Sequence, residues 1–204
     1  TYALSKLESA IMPAIQVGLL VLVVTAPAFI FFSQKGPGAM HAPWLISLAA
    51  GLVVGGLSQY SRLCTVGGFR DLFLFKKSVL IFGYIAVLVG VFAVNISFGN
   101  FHLGFENQPV SHTDGLWNFL GMALAGFCSV LLGGCPLRQL IMTGEGNSDS
   151  AVTVLGLAAG AAFAHNFGLA ASGAGPTLNG QIAVGIGFVV ALIIAVLNTK
   201  RSNA

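Results

Sequence analysis

Leu131-Leu132-Gly133-Gly134-Cys135-Pro136-Leu137-Arg138-Gln139-Leu140 marks the point where one apolar run stops and a second helix starts. Two glycines interrupt the run. Pro136 suits the first position of a new helix, because the N–H it lacks would be unpaired there in any case. Cys135 then stands near an N-cap, where free backbone N–H groups and the positive end of the helix dipole attract an anion or stabilise a thiolate. The stretch predicts an apolar helix, a break and a short helix, with a chemically directed cysteine at the joint.

The run before this break, Leu116–Leu132, is one of six. The others are Ala10–Phe32, Ala42–Tyr60, Ser78–Phe98, Ala151–Ala170 and Gln181–Leu197. Each is close to the roughly 20 residues that cross a bilayer core about 30 Å thick. The 204 residues are 56% hydrophobic and only 7% charged, whereas a soluble domain carries roughly a quarter charged residues. A water-soluble fold is excluded. The expectation is an all-α integral membrane protein of about six transmembrane helices, forming a single membrane domain over residues 1–204. The chain starts at Thr1, and Ala10–Phe32 is too long an apolar stretch, without a small-residue cleavage site, for a signal peptide. Processing or a boundary within a longer protein is expected to explain that start.

The charges record topology. Lys6, Arg62, Arg70, Lys76, Lys77, Arg138, Lys200 and Arg201 fall on one side of the six-span reading, and Lys35 alone on the other. By the positive-inside rule both termini are expected in the cytoplasm. The outer loops then read as Ser33–His41, Gly99–Gly115, which holds Glu106 and Asp114, and Ala171–Gly180. Trp44 and Trp117 stand at the outer beginnings of spans, where an aromatic belt is expected. The net charge of +3 is spread along the chain and forms no stripe, so nucleic acid is not an expected partner.

A second break resembles the first. Ser61-Arg62-Leu63-Cys64-Thr65-Val66-Gly67-Gly68-Phe69-Arg70-Asp71 has the same ingredients, with the glycines after the cysteine. Gly55 and Gly126 each lie nine residues before a cysteine, Cys64 and Cys135. The two cysteine-bearing helix breaks therefore read as a parallel internal repeat, as though related by an axis along the membrane normal. Gly51-x-x-x-Gly55 and Gly156-x-x-x-Gly160 read as packing positions that let helices approach closely.

Cys64, Cys135 and Cys128 are read as free thiols, an odd number without the spacing of a disulfide framework. Along a continuous helix Cys128 and Cys135 would stand about 10 Å apart, beyond the roughly 7 Å limit for a bridge. Cys64 and Cys135 are candidate functional residues, because each adjoins helix breakers and an arginine. Cys128 lies in ordinary span sequence and reads as a small apolar packing residue. Arg62, Arg70 and Arg138 either line a path or anchor the cytoplasmic interface, and Lys76 and Lys77 read as snorkelling anchors. His165 and Asn166, late in the fifth span, are costly unless they face polar groups or a water-filled path, so an interior position is expected. His112-Thr113-Asp114 reads as a cap for the fourth span, and Gly144-Glu145-Gly146-Asn147-Ser148-Asp149 as a turn that caps the fifth. No metal or cofactor is expected.

At these residues the chain resembles the YeeE/YedE family of bacterial sulfur-transport membrane proteins, most closely the C-terminal half of the YedE branch associated with selenium transport. The resemblance is carried by Lys35-Gly36-Pro37-Gly38-Ala39-Met40-His41-Ala42-Pro43, Ser61–Gly67, Gly133-Gly134-Cys135-Pro136-Leu137-Arg138-Gln139, Gly144-Glu145-Gly146-Asn147 and Ala164-His165-Asn166-Phe167-Gly168. It implies a multi-pass protein of the bacterial cytoplasmic (inner) membrane, with membrane-embedded cysteines along a constricted path. Cys64 and Cys135 take the role of thiols that touch the substrate, with Arg62, Arg70, Arg138, Gln139, His165 and Asn166 along the path. Cys128 does not match the family's pattern. Implied partners are a small inorganic sulfur or selenium substrate, a separate N-terminal-half subunit or a second copy of the chain, and a small cytoplasmic sulfurtransferase-like protein.

The function expected is therefore a permease or channel that imports a small sulfur- or selenium-containing species, thiosulfate-like or a selenium compound, and not an enzyme. A thiol is a weak donor and a soft acceptor, so it touches a polarisable anion without holding it. The alternatives are a membrane thiol oxidoreductase, although no Cys-x-x-Cys occurs, and a non-catalytic half or subunit of a split transporter.

Overall fold

The computed structural model describes residues 6–25, 42–104 and 112–202. Among them the chain forms α1 (Lys6–Thr25), α2 (Trp44–Ser61), α3 (Thr65–Phe75), α4 (Val79–Ser97), α5 (Gly115–Leu131), α6 (Pro136–Gly144), α7 (Ser148–Asn166) and α8 (Leu178–Ser202). The first expected outer loop with Lys35, the end of the first expected span over Ala26–Phe32, and Glu106 lie outside the described residues.

Among the described residues, four stretches are long and apolar enough to cross a membrane. They are Trp44–Phe75, which joins α2 to α3, Val79–Ser97, Gly115–Gly144, which joins α5 to α6, and Leu178–Thr199. Of the six spans expected, those starting at Ala42, Ser78, Leu116 and Gln181 correspond to these. The span expected over Ala151–Ala170 is a helix, α7, but is not among the four. Its ends are polar, Ser148-Asp149-Ser150 and His165-Asn166, and its middle is mostly Ala and Gly, which add little apolar character.

The distribution of burial is inverted relative to a soluble protein. Large apolar side chains such as Leu52, Phe82, Leu116, Val152 and Ile186 are exposed. The few buried residues include Ser58, Ser129, Gln139, Thr143 and Ser150 alongside Cys64 and Cys135. Apolar surface facing outward is stable where lipid is the solvent, and polar side chains there must find partners inside. The chain is a multi-pass membrane protein.

Packing is pairwise. The short helix α3 lies on α4, the short helix α6 on α7, and α5 on α8, with lesser contact of α3 with α5 and of α2 with α6. Phe69 and Tyr84 meet edge to face across the α3–α4 pair, their ring centroids 6.1 Å apart. Among the described residues, the two Gly-x-x-x-Gly pairs make no close helix contact. A Cβ placed at Gly51, Gly55, Gly156 or Gly160 would meet nothing within 4 Å.

The caps follow the sequence. Asp114 accepts from the Trp117 N–H at 3.3 Å at the start of α5, and Asn147 accepts from the Ser150 N–H at 3.0 Å at the start of α7. Each satisfies one of the backbone donors that a helix start leaves unpaired.

Candidate functional site

The site is built at two helix interruptions. Helix α2 ends at Ser61 in a reversal that pairs the Arg62 N–H with Gln59 O at 3.2 Å and the Leu63 N–H with Ser58 O at 3.1 Å. Helix α5 ends the same way, with the Gly133 N–H on Val130 O at 3.1 Å and the Gly134 N–H on Ser129 O at 3.0 Å. This pair of bonds closes a helix when the next residue turns left-handed. Gly133 does so at φ +74°, and Arg62 at φ 51°.

Each reversal delivers a cysteine to the N-cap of a short helix, Cys64 for α3 and Cys135 for α6. Cys64 is 7% exposed and Cys135 4%. The Cys64 Sγ accepts from the Gly67 N–H at 3.2 Å, so this thiol caps its own helix. A Cβ at position 67 would lie 3.3 Å from that sulfur, which explains a small residue there. Cys135 makes no such cap. Its sulfur has the Arg138 N–H, the backbone N–H and hydroxyl of Thr65 and the Cys64 thiol in its neighbourhood. The tertiary fold thus brings two buried thiols together between two helix starts, where backbone dipoles are positive.

Arg138 and Gln139 follow Cys135 in α6. The Arg138 Nη1 donates to Gln59 Oε1 of α2 at 3.4 Å and stands 3.6 Å from Glu145 Oε1. Arg138 therefore ties the second break to the helix that precedes the first. Gln139 is buried, and its Nε2 donates to Leu132 O at 2.9 Å.

Other expected site residues lie apart from the thiols or are engaged elsewhere. Arg70 bonds Asp71 Oδ1 through Nε at 2.9 Å and Nη2 at 2.8 Å, so its charge is balanced locally. It borders a cleft of about 360 Å³ between α3 and α5, lined by Val66, Gly67, Phe69, Phe73, Gly126, Val130 and Gly133. Arg62 is exposed. Cys128 is partly exposed on α5, and its carbonyl accepts from the Leu132 N–H at 3.0 Å. His165 was expected to face the interior but is exposed in this chain, and Asn166 turns back to bond Ala162 O at 2.8 Å. Both stand near the far end of α7, roughly 25 Å along its axis from the end that adjoins α6.

Sequence reasoning missed Thr65 and Gln59. Thr65 directly follows a candidate cysteine, yet its relevance comes from Cys135, a residue distant in sequence. Gln59 carries no local signal beyond a polar side chain one turn before a break.

The family described as sulphur transport matches residues 60–200, from the end of α2 into α8. The chain belongs to that family. A member of the curated proteins, the thiosulfate transporter TsuA of Escherichia coli (strain K12), is 27% identical, and the match covers 52% of this chain and 30% of that transporter. No solved structure matches the chain significantly. Both cysteine breaks fall inside the residues that define membership of the sulphur transport family.

Proposed function

We propose that this chain conducts a small sulfur-containing anion of the thiosulfate kind across the membrane, with Cys64 and Cys135 touching it in passage. The observation that carries the reading is the meeting of two buried thiols at the starts of two short helices. Helix starts supply partial positive charge for an anion, and thiols supply soft, weak contacts that release it again. The kinship with a thiosulfate transporter supports the substrate class. Selenium-containing anions belong to the same proposal as candidate substrates.

A parallel repeat is part of the reading. A shift of 71 residues carries Trp44 to Gly115, Cys64 to Cys135 and Val79 to Ser150, so it superposes α2, α3 and α4 on α5, α6 and α7 in order. The match spans 30% of the related transporter.

Uptake of labelled thiosulfate and selenite into vesicles, normalised to folded protein, tests the proposal. Serine keeps the size of cysteine but replaces the soft thiol with a harder hydroxyl. Cys64→Ser and Cys135→Ser are each expected to lower uptake roughly tenfold, the scale of about 1.4 kcal/mol, at undiminished protein level. Normal uptake by both variants would refute a path past these thiols.

A further inference from the structure

Gln139 stands four residues after Cys135 and is 3% exposed. A buried amide on a transport path invites the reading that it binds substrate, but its donor is already committed. The Nε2 group donates to Leu132 O, the carbonyl at the end of α5, at 2.9 Å. The Gln139 backbone N–H donates to Cys135 O at 3.0 Å, and its own carbonyl accepts from Thr143 Oγ1 at 2.8 Å. The residue thus holds the chain on both sides of the Gly133-Gly134 break.

Gly134 shows how closely the clamp fits. A Cβ there would lie 3.4 Å from Arg138 Cγ and 3.5 Å from Gln139 Nε2, so the side chain of Gln139 lies directly over the break. Without that amide, Leu132 O would lose its side-chain donor within an apolar stretch, where an unpaired carbonyl is costly. The turn that aims Cys135 would then be held only by the two backbone bonds of the reversal.

We propose that Gln139 is a positioning residue, whose side chain fixes the α5–α6 break so that the Cys135 thiol stays seated against Cys64, and that it does not itself contact the anion. What the seated thiol does rests on the transport reading; the clamp itself does not.

The test uses the full chain in vesicles. Gln139→Met keeps the length without the amide, and Gln139→Leu removes the donor with a shorter apolar side chain. Alkylation of each cysteine by a membrane-permeant maleimide is followed by site-resolved mass spectrometry, beside anion uptake per folded protein. Alkylation of Cys135 is expected to rise about fivefold in both variants, the scale of one lost hydrogen bond, while that of Cys64 stays within about twofold. Uptake is expected to fall by a similar factor. Wild-type alkylation of Cys135 in Gln139→Met overturns the proposal, and so does an equal rise at both cysteines, which would mean general loosening. Gln139→Leu carries the test if the methionine protein does not accumulate. If Cys64→Ser and Cys135→Ser both transport normally, the transport reading falls while the alkylation ratio still decides the clamp.

Discussion

The two breaks close with the same pair of backbone bonds and then diverge. Four residues after Cys64 stands Gly68, and four after Cys135 stands Gln139. Both donate their N–H to the carbonyl of their cysteine, at 2.8 Å and 3.0 Å. Gly68 then uses its missing side chain to let α3 reach α4, where a Cβ would lie 3.3 Å from Ile81 N. Gln139 uses its long side chain to reach back over the turn to Leu132 O. Both short helices pack on a neighbour, α3 on α4 and α6 on α7, and the second is also tied back to its own break.

The thiols differ in the same sense. Cys64 spends its sulfur on the Gly67 N–H and so serves its own helix start. Cys135 makes no cap bond, and its sulfur has the Arg138 N–H of its own helix start as well as Thr65 and Cys64 nearby. One cysteine is part scaffold, and the other is held chiefly by its surroundings. A repeated backbone motif can therefore carry two different side-chain duties.

The largest expected effect on stability comes from the close approach in the first break. Gly68→Val would push a branched side chain into the α4 backbone and is expected to cost about 1–3 kcal/mol, as overpacking does. Thermal unfolding in detergent reads this directly; a neutral result would mean that α3 and α4 separate easily and that the first break is not held by its neighbour.

A smaller effect distinguishes the two left-handed residues. Gly133→Ala places a Cβ at φ +74° and is expected to cost about 1 kcal/mol. Arg62→Gly removes a side chain from φ 51° and is expected to be neutral or slightly stabilising, because relief of strain offsets the greater unfolded freedom of glycine. Losses of equal size in the two melting curves would show that the guanidinium of Arg62 supports the first break in a way its backbone angle does not reveal.

The smallest effect concerns the caps. Cys64→Ala removes the acceptor for the Gly67 N–H and is expected to cost about 0.5–1 kcal/mol, at the low end for a helix cap. Cys135→Ala removes no cap and is expected to cost less. A reversed order of the two melting temperatures would contradict the division of duties between the thiols.

Much of the second break was legible in the sequence. Gly133 marks a left-handed residue, Pro136 a first helical position, and Cys135 the residue between them. The first break was harder to place, because Arg62 fills the left-handed position where glycine is usual. The site itself was legible only in part. Cys64 and Cys135 stood out through their neighbours, whereas Gln139 was noticed for its place in a motif and not for the bond it makes. Arg70 stood out as a charge beside a break, and only the structure pairs it with Asp71, the next residue.

The sequence by itself determined a membrane protein with apolar helices broken beside Cys64 and Cys135. Hydropathy, glycine conformation and the missing N–H of proline act over a few residues and need no partner elsewhere. Only the tertiary structure decided that the two thiols meet, that Thr65 joins them, that Arg138 reaches Gln59, and that His165 stays outside their company. Those outcomes depend on how α3, α5 and α6 pack. Lipid supplies no hydrophobic preference for one helix pairing over another, so the choice rests on close fit and on hydrogen bonds between residues far apart in the chain.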